Sequence, residues 1–206
     1  LIGGRIVSSF TRNWLVRQRA ERLPASVDLW DNGAMALTIL TGAVWVALPD
    51  AALTGALCLV AGVANLWRLS RWQGVQTGAE ALVWVLHVGF AFVPLGFLAI
   101  GAENLGLLPL SLAGKHVWMA GAVGVMTLAV MSRASLGHAG LPLTAGRGVT
   151  WLYLALILSV IARFAAALLP GTVWLLHLAA TGWILAFGGF AVLYWSILTK
   201  PRQRNA

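Results

Sequence analysis

Ionisable side chains inside long apolar stretches are the residues of this chain best placed to do chemistry, because hydrocarbon penalises them unless they face a partner or a cavity. His87 lies within the apolar run 81–100, His116 opens the run 116–131, Arg163 is inside 150–169, and His177 is near the start of 173–198. At 1.5 Å per helical residue, His87 falls about 10 Å in from one membrane face, whereas His116, Arg163 and His177 share a level about 5–9 Å in from the other. Glu80 immediately precedes the run holding His87, and His138 sits in a loop beyond the fourth run. Imidazole nitrogens ligate iron from either side and an arginine pairs with a propionate, so a b-type haem would use this set naturally. On the fourth run, His116, Ala120, Gly124, Thr127 and Met131 follow three- and four-residue spacing and leave a groove of small side chains beside the imidazole. Such a groove could accept a flat macrocycle. Met119, Met126 and Met131 add thioethers, soft donors for copper or haem iron near His116. The fall of about 16 Å from His87 to His116 is too great for both to bind one metal at about 2 Å each.

Each of these residues also has a plain structural reading. Small residues at helical spacing let membrane helices pack closely, and an isolated histidine can simply hydrogen-bond a neighbouring helix. His116, beside Lys115, could mark the water boundary, Arg163 could snorkel outward, and methionines in apolar helices are mostly packing. A second chemical reading joins Glu80, His87 and Arg163 into a proton or solute pathway of a transporter, and a third makes the whole a structural helical module. Hydrolase and nucleotide-enzyme readings have nothing to stand on, since the chain holds no metal, nucleophile or phosphate-loop motif in a fitting context. No catalytic residue is assigned.

The elements that must position these residues are membrane helices. Of 206 residues, 60% are hydrophobic and 10% charged, against roughly 25% charged in a soluble domain. Mean hydropathy is +0.85. A water-soluble domain is excluded. Six apolar runs, near 33–48, 51–67, 81–100, 116–131, 150–169 and 173–198, approach the length of about 20 residues that a crossing needs. None alternates with period two, which excludes a barrel and leaves an all-α polytopic bundle of six transmembrane helices in one domain over residues 1–206. Pro94 predicts a kink in the third helix. Twelve of the fourteen Lys and Arg residues fall on one face: Arg5, Arg12, Arg17, Arg19, Arg22, Arg68, Arg71, Arg133, Arg147, Lys200, Arg202 and Arg204. The other face has Lys115. Positively charged short loops stay in the cytoplasm, so both ends are expected there. The net charge of +8 then follows from topology and anionic lipid headgroups, and nucleic acid is not needed to explain it.

Leu1 is not an initiator methionine, and the first four residues look like the tail of an earlier apolar segment, so the chain reads as a fragment. The basic residues follow that short stretch with no apolar core before Gly33, unlike a signal peptide. The single Cys58 excludes an intrachain disulfide.

Four stretches together carry a family resemblance: Gly4-Arg5-Ile6 through Phe10-Thr11-Arg12-Asn13, Arg68-Leu69-Ser70-Arg71-Trp72-Gln73-Gly74, EALVWVLH from Glu80 to His87, and GAVGVMTLAVMSRASLGHAGLPL from Gly121 to Leu143. The last is long and specific, and resembles the signature of the NnrS family, bacterial inner-membrane proteins linked to nitric oxide that contain haem and copper. The resemblance extends to about Pro201 and covers the C-terminal half of the family. It implies that His87, His116, Arg133 and His138 are motif positions, with Met126 in the same block and Arg163 in the next helix. Ala81 stands where proline is expected, Phe90 where tyrosine is, and Leu141 where arginine is. What it implies for function is a response to nitric oxide or protection against nitrosative stress, with haem b, copper, the lipid bilayer, nitric oxide and the family's N-terminal helices as partners.

Overall fold

Long apolar runs in a chain this poor in charge satisfy their backbone groups most simply as helices, and each expected run becomes one. The structure, a computed structural model, describes residues 2–109 and 113–199, and all regular structure among them is helical. The helices are α1 (Ile2–Arg17), α2 (Leu29–Ala47), α3 (Ala52–Ser70), α4 (Ala81–Asn104), α5 (Ala113–His138), α6 (Arg147–Leu168) and α7 (Val173–Thr199). A 3-10 turn at Gly74–Thr77 leads into α4, and Val117–Val125 within α5 is wound as a π-helix. Helices α3 to α7 are long and apolar enough to cross a membrane. The sixth expected span, α2, has 19 residues but carries Asp31 and Asn32 in its first turn. Lys200, Arg202 and Arg204 lie outside the described residues.

Helix α1 departs from the sequence reading, which placed no helix here. Val7, Thr11 and Leu15, four residues apart, are buried along one side, while Arg5, Arg12 and Arg17 are exposed. That spacing gives α1 a narrow stripe with which it packs on α4.

Helix α4 is the centre of the bundle and runs unbroken through Pro94. Its contact with α5 alternates large and small residues. Ile100 lies on Gly114, Trp118 on Gly96, Phe92 on Gly121 and Met126 on Gly89. Along α5, twelve steps separate Gly114 from Met126, whereas eleven separate Ile100 from Gly89 on α4. The wider π turns absorb the extra residue and keep α5 facing α4. The Trp118 indole N–H donates to the Val93 carbonyl at 2.9 Å, and its ring meets Phe97 edge-on at 4.6 Å. On the other side α6 and α7 approach closely at Gly182, and Ser159 Oγ donates to the Ala179 carbonyl at 2.6 Å.

One end of the bundle collects the C-terminal ends of α1, α3, α5 and α7 and the N-terminal ends of α4 and α6, with Arg68, Arg71, Arg133 and Arg147. This is the basic end of the bundle. There Arg68 and Arg71 meet two acids at the start of α2. Arg68 Nε lies 2.8 Å from Asp31, and Arg71 lies 2.5 Å from Asp28 and 3.2 Å from Asp31. The Arg71 guanidinium holds the Asp28 carboxyl well below the usual carboxylate range.

Candidate ligand-binding site

The segment ahead of α4 builds the surroundings of His87. Glu80 caps the helix, its Oε1 accepting from the Leu82 and Ala145 backbone N–H groups at 3.0 Å each. The loop after α5 is thereby pinned to the start of α4. Two turns on, His87 Nε2 is 2.7 Å from Thr11 Oγ1 of α1. Thr11 spends its own proton on the Val7 carbonyl, also at 2.7 Å. Its oxygen therefore accepts, and Nε2 carries the hydrogen. Nδ1 of His87 is buried with no partner among the described residues. A Cβ on Gly74 would stand 2.6 Å from it. Thr11 thus holds one ring nitrogen and the 3-10 turn covers the other, which leaves no opening for a macrocycle. His87 ties together α1, α4 and the turn.

Arg133 of α5 is half-buried, with its guanidinium 4.3 Å from the centre of the Phe10 ring. Consecutive residues of α1 therefore hold Arg133 and His87. Met126 packs on Gly89 and Gly3 and lines a cavity of about 620 Å³ with Met35, Arg68, Phe90 and Met131. No histidine lines that cavity. His138 is exposed in the last turn of α5, and Arg163 is half-buried in the half of α6 away from the basic end. His177 is exposed on α7. Among the described residues no three His, Cys, Asp or Glu side chains stand together as a metal site.

His116 has a different setting. It is half-buried and borders a cleft of about 520 Å³ between the π-helical part of α5 and α7, lined also by Met119, Ala120, Val123, Gly124, Thr127, Trp183 and Phe187. The expected stripe from His116 to Thr127 does line one cleft, but Met131, its last member, faces the cavity of Met126 instead. Trp183 lies directly on Gly124, where a Cβ would come within 2.8 Å of the indole. The Trp183 and Phe187 rings are 4.7 Å apart and line the α7 side of the cleft. Sequence reasoning passed over Trp183 and Phe187, although their spacing of four on one apolar helix was a usable signal. It also passed over the acids Asp28 and Asp31, whose spacing of three matches that of Arg68 and Arg71.

Compared with known protein families, residues 1–202 match the family described as NnrS protein. The chain belongs to the NnrS family. No curated protein and no solved structure matches it. In this NnrS chain the stretches that carried the resemblance are spatial neighbours at the basic end. Gly4 rests on the Arg68 guanidinium, Thr11 and Gly74 enclose His87, and Phe10 lies under Arg133.

Proposed function

We propose that this NnrS protein is a haem-containing bacterial inner-membrane protein of the nitric oxide response, with haem b in the cleft beside His116. The observation that carries this reading is the cleft of about 520 Å³ itself, whose lining includes an imidazole, the small side chain of Ala120 and the rings of Trp183 and Phe187. Bound there, the haem would supply an iron able to take a diatomic gas such as nitric oxide. His116 would hold the iron through an imidazole nitrogen, and the small Ala120 leaves room beside it for a flat ring. Trp183, seated on Gly124, and Phe187 bound the cleft on the α7 side. Thr127 offers a hydroxyl elsewhere in the lining.

His87 does not fit a haem ligand, because Thr11 and Gly74 enclose its ring. Copper does not fit the residues as they stand, since Met126 shares its cavity with no histidine. The relay of Glu80, His87 and Arg163 is not assembled either. Glu80 caps α4 at the basic end, and Arg163 lies about 24 Å along α6 from that end.

Haem content after expression with haem supplied tests the assignment. His116→Leu is expected to lose bound haem while still inserting in the membrane, and His87→Gln to keep it. The reverse pattern would return the haem to His87 and refute the cleft assignment.

A further inference from the structure

Three hydroxyls from three helices meet in the core where α5, α6 and α7 pack, near the basic end. Tyr153 of α6 is 0% exposed and Tyr194 of α7 is 2% exposed, yet neither hydroxyl has a hydrogen-bond partner among the described residues. Ser132 of α5, also 0% exposed, stands near both phenol oxygens. Trp84 meets the Tyr153 ring edge-on at 6.3 Å, and Phe190 stacks on the Tyr194 ring at 4.5 Å, so both rings are held by packing. Two fully buried hydroxyls without partners are uncommon, because each forfeits its hydration on burial.

The proton inventory defines what fits between them. Ser132 donates to the Leu128 carbonyl at 2.7 Å, so its oxygen can only accept from a third group. Each tyrosine has a proton to give and no hydrogen-bond partner among the described residues. The group required accepts two hydrogen bonds, donates at least one, and is small enough for the inside of a packed bundle. Water meets all three conditions. We propose that Ser132, Tyr153 and Tyr194 bind one internal water, which accepts from both phenols and donates to the Ser132 oxygen. Three hydrogen bonds are the usual number for a buried water, and polar groups just beyond direct bonding distance are the usual place for one. The site lies toward the basic end of the bundle. It is independent of the haem assignment.

Infrared difference spectra of the full chain in H2-16O and H2-18O test this, together with thermal unfolding in detergent. The expected result is an isotope-sensitive O–H stretch of internal water that is lost or displaced in Tyr153→Phe, Tyr194→Phe and Ser132→Ala. Each Tyr→Phe variant should also unfold lower by roughly 2–4 °C. Without a bound water the same substitutions delete an unpaired buried hydroxyl, and the midpoint would stay or rise. An unchanged or raised midpoint, or the absence of an isotope-sensitive band that these variants alter, overturns the proposal. If one variant fails to fold, the other two carry the comparison.

Discussion

The hydrogen bond between Thr11 and His87 joins residues 76 positions apart. Thr11→Val would keep the shape of the side chain but leave the imidazole N–H buried and unpaired, a loss of about 1–3 kcal/mol. Gly74→Ala would drive a methyl group against the same ring, at a similar cost of about 1–3 kcal/mol. Chemical unfolding in detergent measures both, and since both act on one imidazole, the double variant should fall short of the sum. The sequence revealed that His87 lies inside the bundle near the basic end, because depth follows from position along a helix. It could not reveal Thr11 as the partner, since that pairing depends on how α1 docks. At Asp28 the sign of the pH dependence is set by Arg71. The folded-state pKa is depressed, so the stabilisation is complete above the unfolded value of about 3.9 and is lost as pH falls below it. Thermal unfolding should therefore show a shallower acid limb in Asp28→Asn, with the two proteins converging as pH drops.

At the scale of elements, the interlock of α4 with α5 decides where His116 faces. A Cβ on Gly96 would lie 2.0 Å from the Trp118 ring, and one on Gly121 would lie 2.5 Å from Phe92. Gly121→Ala should force these helices apart and cost about 1–3 kcal/mol, read by thermal unfolding. Deleting one residue within Val117–Val125 is a more specific test. A regular α-helix would then match the eleven steps on α4 and keep Gly114 and Met126 on Ile100 and Gly89. The expected outcome is unchanged helix content by circular dichroism and an unfolding midpoint close to that of the parent chain, whereas the same deletion within Met126–His138 should lower the midpoint. Helix positions were largely legible from apolar runs: 81–100 became Ala81–Asn104 and 173–198 became Val173–Thr199. The π-helical winding was not, because apolar spacing on one helix does not show which residues of the facing helix must be met. Helix α1 was missed because its buried stripe, Gly4, Val7, Thr11 and Leu15, holds only two apolar side chains.

Across the whole molecule, the residues singled out for metal chemistry separate into two regions. His87, Arg133 and Met126 surround α1, whereas His116 borders a cleft on α7. The depth difference read from sequence anticipated that separation. It could not distinguish which histidine opens on a cleft, because the walls of that cleft come from Trp183 and Phe187 on another helix. We propose that the cleft beside His116 holds a haem that binds nitric oxide. The most direct measurement is the visible absorption spectrum of detergent-purified protein, oxidised, dithionite-reduced and exposed to nitric oxide, with His116→Leu alongside. A Soret band that shifts with nitric oxide and is lost in His116→Leu is the predicted result. No Soret band despite haem supplied during expression, or a nitric oxide-sensitive band that survives His116→Leu, would contradict it.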